Sequence, residues 1–393
     1  MRGATKIAVR LVLLAVAGIA VLLGVLWLDH SRETVLPAPT GPFGVGRTMR
    51  VWKDALHADS MAPKPGTKRE LVAWIWYPAA PQTPRQPFEE YLPAPWIAAL
   101  AHHSGFVITQ FLTRDLSRVR AHSLRNAEMS PVQKTYPIVF LRGGLAALVT
   151  QYTSLAEDLA SHGYVVVGFD APFRSLVTVF PDGRVIERTP ENNVELVGDK
   201  RAVELATKLA KAWSDDISFA LDEMQRLNAS DPSRKFLGRL DVERVGVFGH
   251  SLGGATALQF CHDDGRCKAG IDVDGLPLGD VVRDGVTQPF MFLLSDHRSE
   301  SDAESQLARA NIRSTYDRLV PGRRFYVAIP DAGHYRFSDN GALLQAPLIQ
   351  GLLQEAGVLK LDGRRQIAIA ARRISTFFDV FLKGAPVSEL SDS

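Results

Sequence analysis

Cysteine is almost absent from this 393-residue chain: Cys261 and Cys267 are the only two. Two thiols cannot build a four-thiolate zinc site, and His262 beside them has no second histidine at ligand spacing, which excludes a structural zinc centre there. A disulfide scaffold is excluded as well. A single bridge across the Asp263-Asp264-Gly265-Arg266 turn is permissible if the domain is exported, and two free thiols are the alternative. An excess of either charge is also missing, with 45 Lys and Arg against 43 Asp and Glu, so there is no electrostatic footprint for nucleic acid. No internal repeat is visible, which removes solenoids and propellers. What remains, 46% apolar and 22% charged residues, is an ordinary globular composition long enough for a large core.

One long uncharged apolar run stands out, residues 11–28, preceded by Arg2, Lys6 and Arg10. It is long enough to span a bilayer. Its exit, Val25-Leu26-Trp27-Leu28, is bulky, and Ala17-Gly18-Ile19-Ala20 offers the one weak cleavage site. The expectation is therefore an uncleaved anchor over residues 1–30, cytoplasmic at its N-terminus, with the remainder periplasmic or extracellular. Secretion after signal cleavage is the alternative. Residues 31–42, with Pro37, Pro39 and Pro42, read as a linker to one folded domain over 43–385, with insertions near 80–130 and 171–240.

From Tyr136 onward the chain alternates. Strand-like runs at residues 137–141, 163–169, 245–248, 269–273, 289–294 and 325–329 enclose helical patterns at 152–161, 200–227, 252–261 and 303–319, and a helix over 364–382 closes the series. Earlier strands are expected at 49–52 and 71–77. Apolar strands alternating with helices imply a single α/β domain, its mostly parallel central sheet covered by helices on both faces.

Within that alternation, Gly249-His250-Ser251-Leu252-Gly253 follows the apolar run Val245-Gly246-Val247-Phe248 and opens an alanine-rich helix. A chain of this composition holds such a pentapeptide by chance about one time in seven, so the strand-turn-helix setting carries the argument. A serine on so tight a bend has its hydroxyl lifted clear of the sheet, as a nucleophile requires.

A serine hydroxyl needs a base, and the base an orienting acid. In a doubly wound sheet both belong at the carboxyl ends of strands. His334 follows the last apolar strand through Pro330-Asp331-Ala332-Gly333, and His297 is the runner-up. Two aspartates qualify for the acid: Asp274 after residues 269–273 and Asp296 after 290–294, either giving the chain order Ser, Asp, His. Asp272 lies deeper in its strand and ranks third. His250 should point away from the serine across the elbow, and His102-His103 reads as a local helix feature. For the oxyanion, the amide of Leu252 is one expected donor; the other comes from Leu141-Arg142-Gly143-Gly144-Leu145, with Gly144 first and Gly143 and Leu145 next.

Several segments together resemble the platelet-activating factor acetylhydrolase family within the α/β-hydrolases: Gly41-Pro42-Phe43-Gly44-Val45-Gly46; Leu159-Ala160-Ser161-His162-Gly163-Tyr164; the elbow; Gly270-Ile271-Asp272-Val273-Asp274-Gly275; and Gly333-His334 with Phe337-Ser338-Asp339 downstream. The resemblance implies Asp274 as the acid. It departs at Arg142-Gly143, where the family carries His-Gly, leaving Arg142 either solvated or in contact with a substrate phosphate.

The resemblance further implies a carboxylic ester hydrolase acting without metal or organic cofactor on short or oxidised acyl esters of phospholipids, beside a membrane reached through the N-terminal helix. Two other readings share the motif: a general esterase, lipase or polyester hydrolase on the same fold, and a membrane-tethered binding protein without turnover. The apolar residues Trp96, Ile97, Leu100, Phe106, Val107, Ile108 and Phe111 fit a substrate entrance or membrane contact as well as ordinary helix packing.

Overall fold

In the computed structural model the described residues are all but 1, 82–88, 106–112, 298–302, 344–350, 352–354, 356–359 and 393. They form two compact units. The smaller gathers residues 1–36, 90–120 and 343–360. Its first helix, α1 (Arg2–His30), is exposed along residues 6–25, while Leu26, Asp29 and His30 in its last turns are buried. Thr34–Val35 pairs in parallel with Val119 and Arg120. Helix α2 (Ala94–Ser104) starts behind Pro93 and buries Trp96 and Leu100, so those two residues are packed; Phe106, Val107, Ile108 and Phe111 lie outside the described residues. His102 and His103, both exposed, lie edge to face with ring centres 5.7 Å apart in its last turn.

The larger unit, residues 37–89, 121–342 and 361–393, is built on a nine-stranded sheet. Its strands are β1 (Gly44–Ala58), β2 (Lys68–Ala79), β3 (Leu124–Arg125), β4 (Tyr136–Arg142), β5 (Val165–Asp170), β6 (Leu240–His250), β7 (Cys267–Val273), β8 (Phe290–Leu294) and β9 (Arg324–Ala328). Across the sheet they run β9-β8-β7-β6-β4-β5-β2-β1-β3. Pairing from β5 to β9 is parallel, and β2 is antiparallel to both β1 and β5. Strands β4, β5 and β8 are buried along their whole length, and β7 at all but Lys268, because both faces are covered there, so no polar alternation is needed.

The covering helices are α3 (Thr153–Ser161), α4 (Asp199–Ala229), α5 (Leu252–Asp263), α6 (Ala303–Arg318) and α7 (Gly363–Lys383). Strand alternation sends Val245 and Val247 toward Ala257, Leu258 and Phe260 of α5 and Ile217, Ala220, Leu221 and Met224 of α4, the last four spaced as one helical stripe. Phe248 faces the other way and meets Phe378 of α7. Helix α7 starts where the Asp362 side chain accepts from the Arg365 N–H at 2.9 Å and stops at Gly384, which takes the left-handed conformation (φ 79°) that favours glycine.

The chain leaves β4 toward β5 on one side and enters β6 on the other, so the sheet order reverses between β4 and β6. In open α/β sheets such a reversal opens a crevice beyond the carboxyl ends of the strands. Both the 143–148 loop and Ser251 follow directly from these two strands, whose Arg142 and Gly249 are paired in register.

Candidate active site

Ser251 stands between the end of β6 and the first residue of α5, with φ 57° and ψ −124°, a conformation a residue with a side chain holds only when its surroundings enforce it. The surroundings are tight. A Cβ at Gly249 would sit 2.1 Å from the Gly253 carbonyl oxygen, and one at Gly253 would sit 2.4 Å from the Arg142 carbonyl oxygen, so only glycine fits at either flank. The Ser251 N–H donates to the Val273 carbonyl (2.9 Å), tying the elbow to β7. Its hydroxyl makes no hydrogen bond among the described residues.

Asp274 follows β7 at another positive φ, 55°. Its buried carboxylate receives four hydrogen bonds. His334 Nδ1 lies 2.7 Å from Oδ2 and His297 Nε2 2.9 Å from Oδ1, while the Ser295 N–H and hydroxyl donate at 2.8 and 2.7 Å. Burial alone would raise its pKa, but the bonds from His297 and His334 prevail and hold it well below the usual carboxylate range. The structure thus brings Asp274 and His334 together, with His297 on the same carboxylate.

Asp296 is engaged elsewhere. Its Oδ2 accepts from the Asp331 N–H (2.8 Å) and its N–H donates to the Ala332 carbonyl (3.0 Å), bracing the loop that leads to His334. Asp272 is fully buried beneath the elbow. Its Oδ1 accepts from the Gly275 N–H (2.7 Å), and a Cβ on Gly254 would lie 1.9 Å from that oxygen. Burial, with the charge of Asp274 adding to it, drives the Asp272 pKa well above the usual carboxylate range.

The loop after β4 departs from expectation in two ways. The Gly144 N–H, the first candidate for the second oxyanion donor, is already engaged, donating to Tyr152 Oη at 3.0 Å. The N–H groups of Leu145 and Leu252 have no partner among the described residues, as the first amide of a helix such as α5 should not. Arg142 is neither solvated nor presented to a ligand: it is 2% exposed, its guanidinium lying 4.7 Å from the Phe169 ring centre and 4.1 Å from that of Trp213, and it donates to the Phe169 carbonyl. Burial lowers its pKa to about 10, against the pull of Asp216 and Asp170. An arginine ending the otherwise apolar run Tyr136-Pro137-Ile138-Val139-Phe140-Leu141 was the available signal of an inward-facing cation.

The contacts of three residues are not legible in the sequence. His250 does not simply turn away: its Nδ1 lies 2.8 Å from Tyr152 Oη, its Nε2 lies 2.9 Å from the His334 carbonyl oxygen, and its ring centre is 4.5 Å from that of His334. Tyr152 looked like the first apolar position of a helix. Asp339 accepts from the N–H groups of Thr153 (2.8 Å) and Ser154 (3.0 Å), capping α3 from the segment that carries His334. Cys261 and Cys267 are disulfide-bonded, linking α5 to β7. Among the described residues no group of three His, Cys, Asp or Glu side chains converges as a metal site.

The family described as platelet-activating factor acetylhydrolase, isoform II, matches residues 28–320. A platelet-activating factor acetylhydrolase of Cavia porcellus is 24% identical over 337 residues, 80% of this chain and 71% of that one. A probable 1-alkyl-2-acetylglycerophosphocholine esterase of Arthroderma benhamiae is 26% identical over 257 residues, 63% of this chain and 58% of that one. Among solved structures, a ferulic acid esterase from Streptomyces cinnamoneus superposes with a TM-score of 0.72 at 25% identity, covering 91% of this chain and 96% of that one.

Proposed function

The chain belongs to the platelet-activating factor acetylhydrolase family and is a carboxylic ester hydrolase with the α/β-hydrolase fold, and from that premise we propose that Ser251, His334 and Asp274 are its catalytic triad. The observation that carries this reading is the pair of bonds converging on His334. Asp274 Oδ2 lies 2.7 Å from Nδ1, and His250, the residue before the nucleophile, bonds the His334 carbonyl at 2.9 Å, which keeps base and serine together.

Asp274 fixes the tautomer in which His334 Nε2 is unprotonated. Nε2 takes the proton as Ser251 Oγ attacks the ester carbonyl. It returns that proton to the leaving alkoxide, and then activates water against the acyl-enzyme. Asp274 stays ionised throughout, because His297 and the two Ser295 donors stabilise its charge. The oxyanion binds the Leu252 N–H at the start of α5, where the helix dipole adds to the effect. The second donor is the Leu145 N–H, since that of Gly144 is held by Tyr152. The Ser251 to His334 hydrogen bond forms as substrate binds, as free hydrolases often hold it long.

The substrates we assign are short or oxidised acyl esters of phospholipids. Helix α1, apolar and exposed, holds the enzyme at a membrane with its catalytic unit exported; the mean hydropathy of its best 18-residue stretch is 2.9. A second reading, soluble aromatic or polymeric esters, draws on the likeness to a ferulic acid esterase over most of both chains.

Fluorophosphonate labelling tests the mechanism: wild type labels and Ser251→Ala does not. A well-folded wild type that fails to label overturns the enzyme reading in favour of a binding protein. Turnover of acetyl phospholipid against feruloyl and short aryl esters then decides between the two substrate classes.

A further inference from the structure

Tyr152 and His250 do nothing in the reaction as written, yet both are buried and polar. Burial of such groups is costly unless each hydrogen bond is made. Theirs are all made, and in only one way. The Gly144 N–H can only donate, so Tyr152 Oη accepts it (3.0 Å) and turns its own proton to His250 Nδ1 (2.8 Å). The His334 carbonyl can only accept, so His250 Nε2 carries the hydrogen it receives (2.9 Å). The direction is therefore continuous: amide to hydroxyl to imidazole to carbonyl.

We propose that Tyr152 and His250 form a relay of positioning residues that sets the oxyanion loop at Gly144 and Leu145 against the loop of the catalytic base, with the nucleophile between them. The proposal rests on the triad assigned above. One end of the relay is the residue before Leu145; the other is the main chain of His334 itself. The middle is the residue preceding Ser251. The loop sits directly against the elbow, since a Cβ on Gly144 would be 3.4 Å from both Ser251 Cβ and His250 Nδ1.

A second tie runs parallel. Asp339, five residues after His334, caps the first turn of α3 through Thr153 and Ser154, and its own N–H donates to the Gln151 carbonyl (2.7 Å). Tyr152 is thus clamped from the base loop on both sides, so its hydroxyl cannot drift from Gly144 without moving His334.

Protonated His250 would break the sequence of donors. Two N–H groups would face Tyr152 and the His334 carbonyl, and the tyrosine hydroxyl would meet a donor on each side. The groups packed around His250 agree: burial and neighbouring His334 push its pKa down to about 3, outweighing Asp274 and the His334 carbonyl. The relay accordingly keeps its geometry while His334 takes and returns the proton of the reaction.

The test uses the full chain with p-nitrophenyl acetate and a fluorophosphonate probe. Tyr152→Phe should lower kcat by about 10- to 100-fold, with KM within about twofold and labelling slowed in step, because the oxyanion donor is displaced only where charge develops. His250→Gln, which keeps a donor for the His334 carbonyl and loses the acceptor for Tyr152, should cost a similar factor, and the double variant no more than the worse single one. In wild-type protein with ¹⁵N-labelled histidine, His250 should stay neutral and protonated on Nε2 from pH 5 to 9. Tyr152→Phe with wild-type melting temperature and kcat within twofold overturns the proposal, as does a His250 that titrates in that range. Loss of label in Ser251→Ala with unaffected relay variants sinks the relay alone; persistent label in Ser251→Ala sinks the triad beneath it.

Discussion

Asp274 Oδ2 and His334 Nδ1 lie 2.7 Å apart, while the alternative acid, Asp296, has an oxygen bonded to the Asp331 N–H at 2.8 Å. The two aspartates therefore make opposite predictions. Asp274→Asn should lower kcat by about 10³- to 10⁴-fold by presenting the wrong partner to Nδ1. Asp296→Asn keeps an oxygen for the Asp331 N–H and should stay within about tenfold of wild type. Steady-state rates on one aryl ester decide it, and the reverse order would reassign the acid.

His297 holds the second oxygen of the same carboxylate at 2.9 Å, alongside two donors from Ser295. His297→Gln should accordingly cost kcat about 3- to 10-fold, because Ser295 still orients Asp274. A loss as large as that of His334→Ala would make His297 the base and remove His334 from that role.

Asp272 offers a test in stability. Its folded-state pKa lies far above the roughly 3.9 of an unfolded aspartate, so above that pH the native state binds a proton that the unfolded chain has released. Stability must then fall as pH rises from about 4 toward the folded pKa. Asp272→Asn cannot titrate and escapes this loss. Its melting temperature, measured against wild type, should improve steadily from pH 5 to pH 8. A constant difference across that range would mean that Asp272 is ionised in the folded protein.

Ser251, His334 and the α/β alternation were legible in the sequence because each is a local pattern: a pentapeptide between strand and helix, a histidine after a late apolar run, strands 4 to 8 residues long. The choice between Asp274 and Asp296 was not local. Both follow strands, and only the pairing of β7 with β8 turns one toward His334 and the other toward Asp331. Tyr152 was invisible for a similar reason. It occupies an apolar position of a helical pattern, and its partner His250 is 98 residues away. Arg142 was misread because an arginine is exposed by default. Here Phe169 from β5 and Trp213 from α4, far apart in sequence, close over it.

The disulfide joins α5 to the strand that leads into Asp274, but it closes a short loop, with a sequence separation of 6. On chain entropy alone such a loop contributes about 2 kcal/mol. Cys261→Ala with Cys267→Ala should lower the unfolding free energy by about that amount in denaturant titrations, with kcat within about twofold. A collapse of kcat at unchanged stability would mean that the bridge sets the position of Asp274 directly.

The end of α1 decides where a soluble protein should begin. Removing residues 1–30 looks natural from hydropathy, but it also removes Asp29 and His30, both buried. Asp29 Oδ1 lies 2.7 Å from Arg114 Nη1, His30 Nδ1 lies 2.7 Å from the Thr113 carbonyl, and the Asp115 N–H donates to the His30 carbonyl at 3.0 Å. Cutting there leaves the Arg114 guanidinium and the Asp115 amide short of partners, a loss of about 2 kcal/mol. A chain starting at Val25 keeps all three contacts while discarding the exposed apolar stretch. Both truncations should leave the membrane fraction, where carbonate washing should retain the full chain, yet the version starting at Val25 should melt several degrees higher than the one starting at Ser31. Equal melting temperatures would show that the last turn of α1 belongs to the anchor and not to the folded unit, and release of the full chain by carbonate would remove the anchor itself.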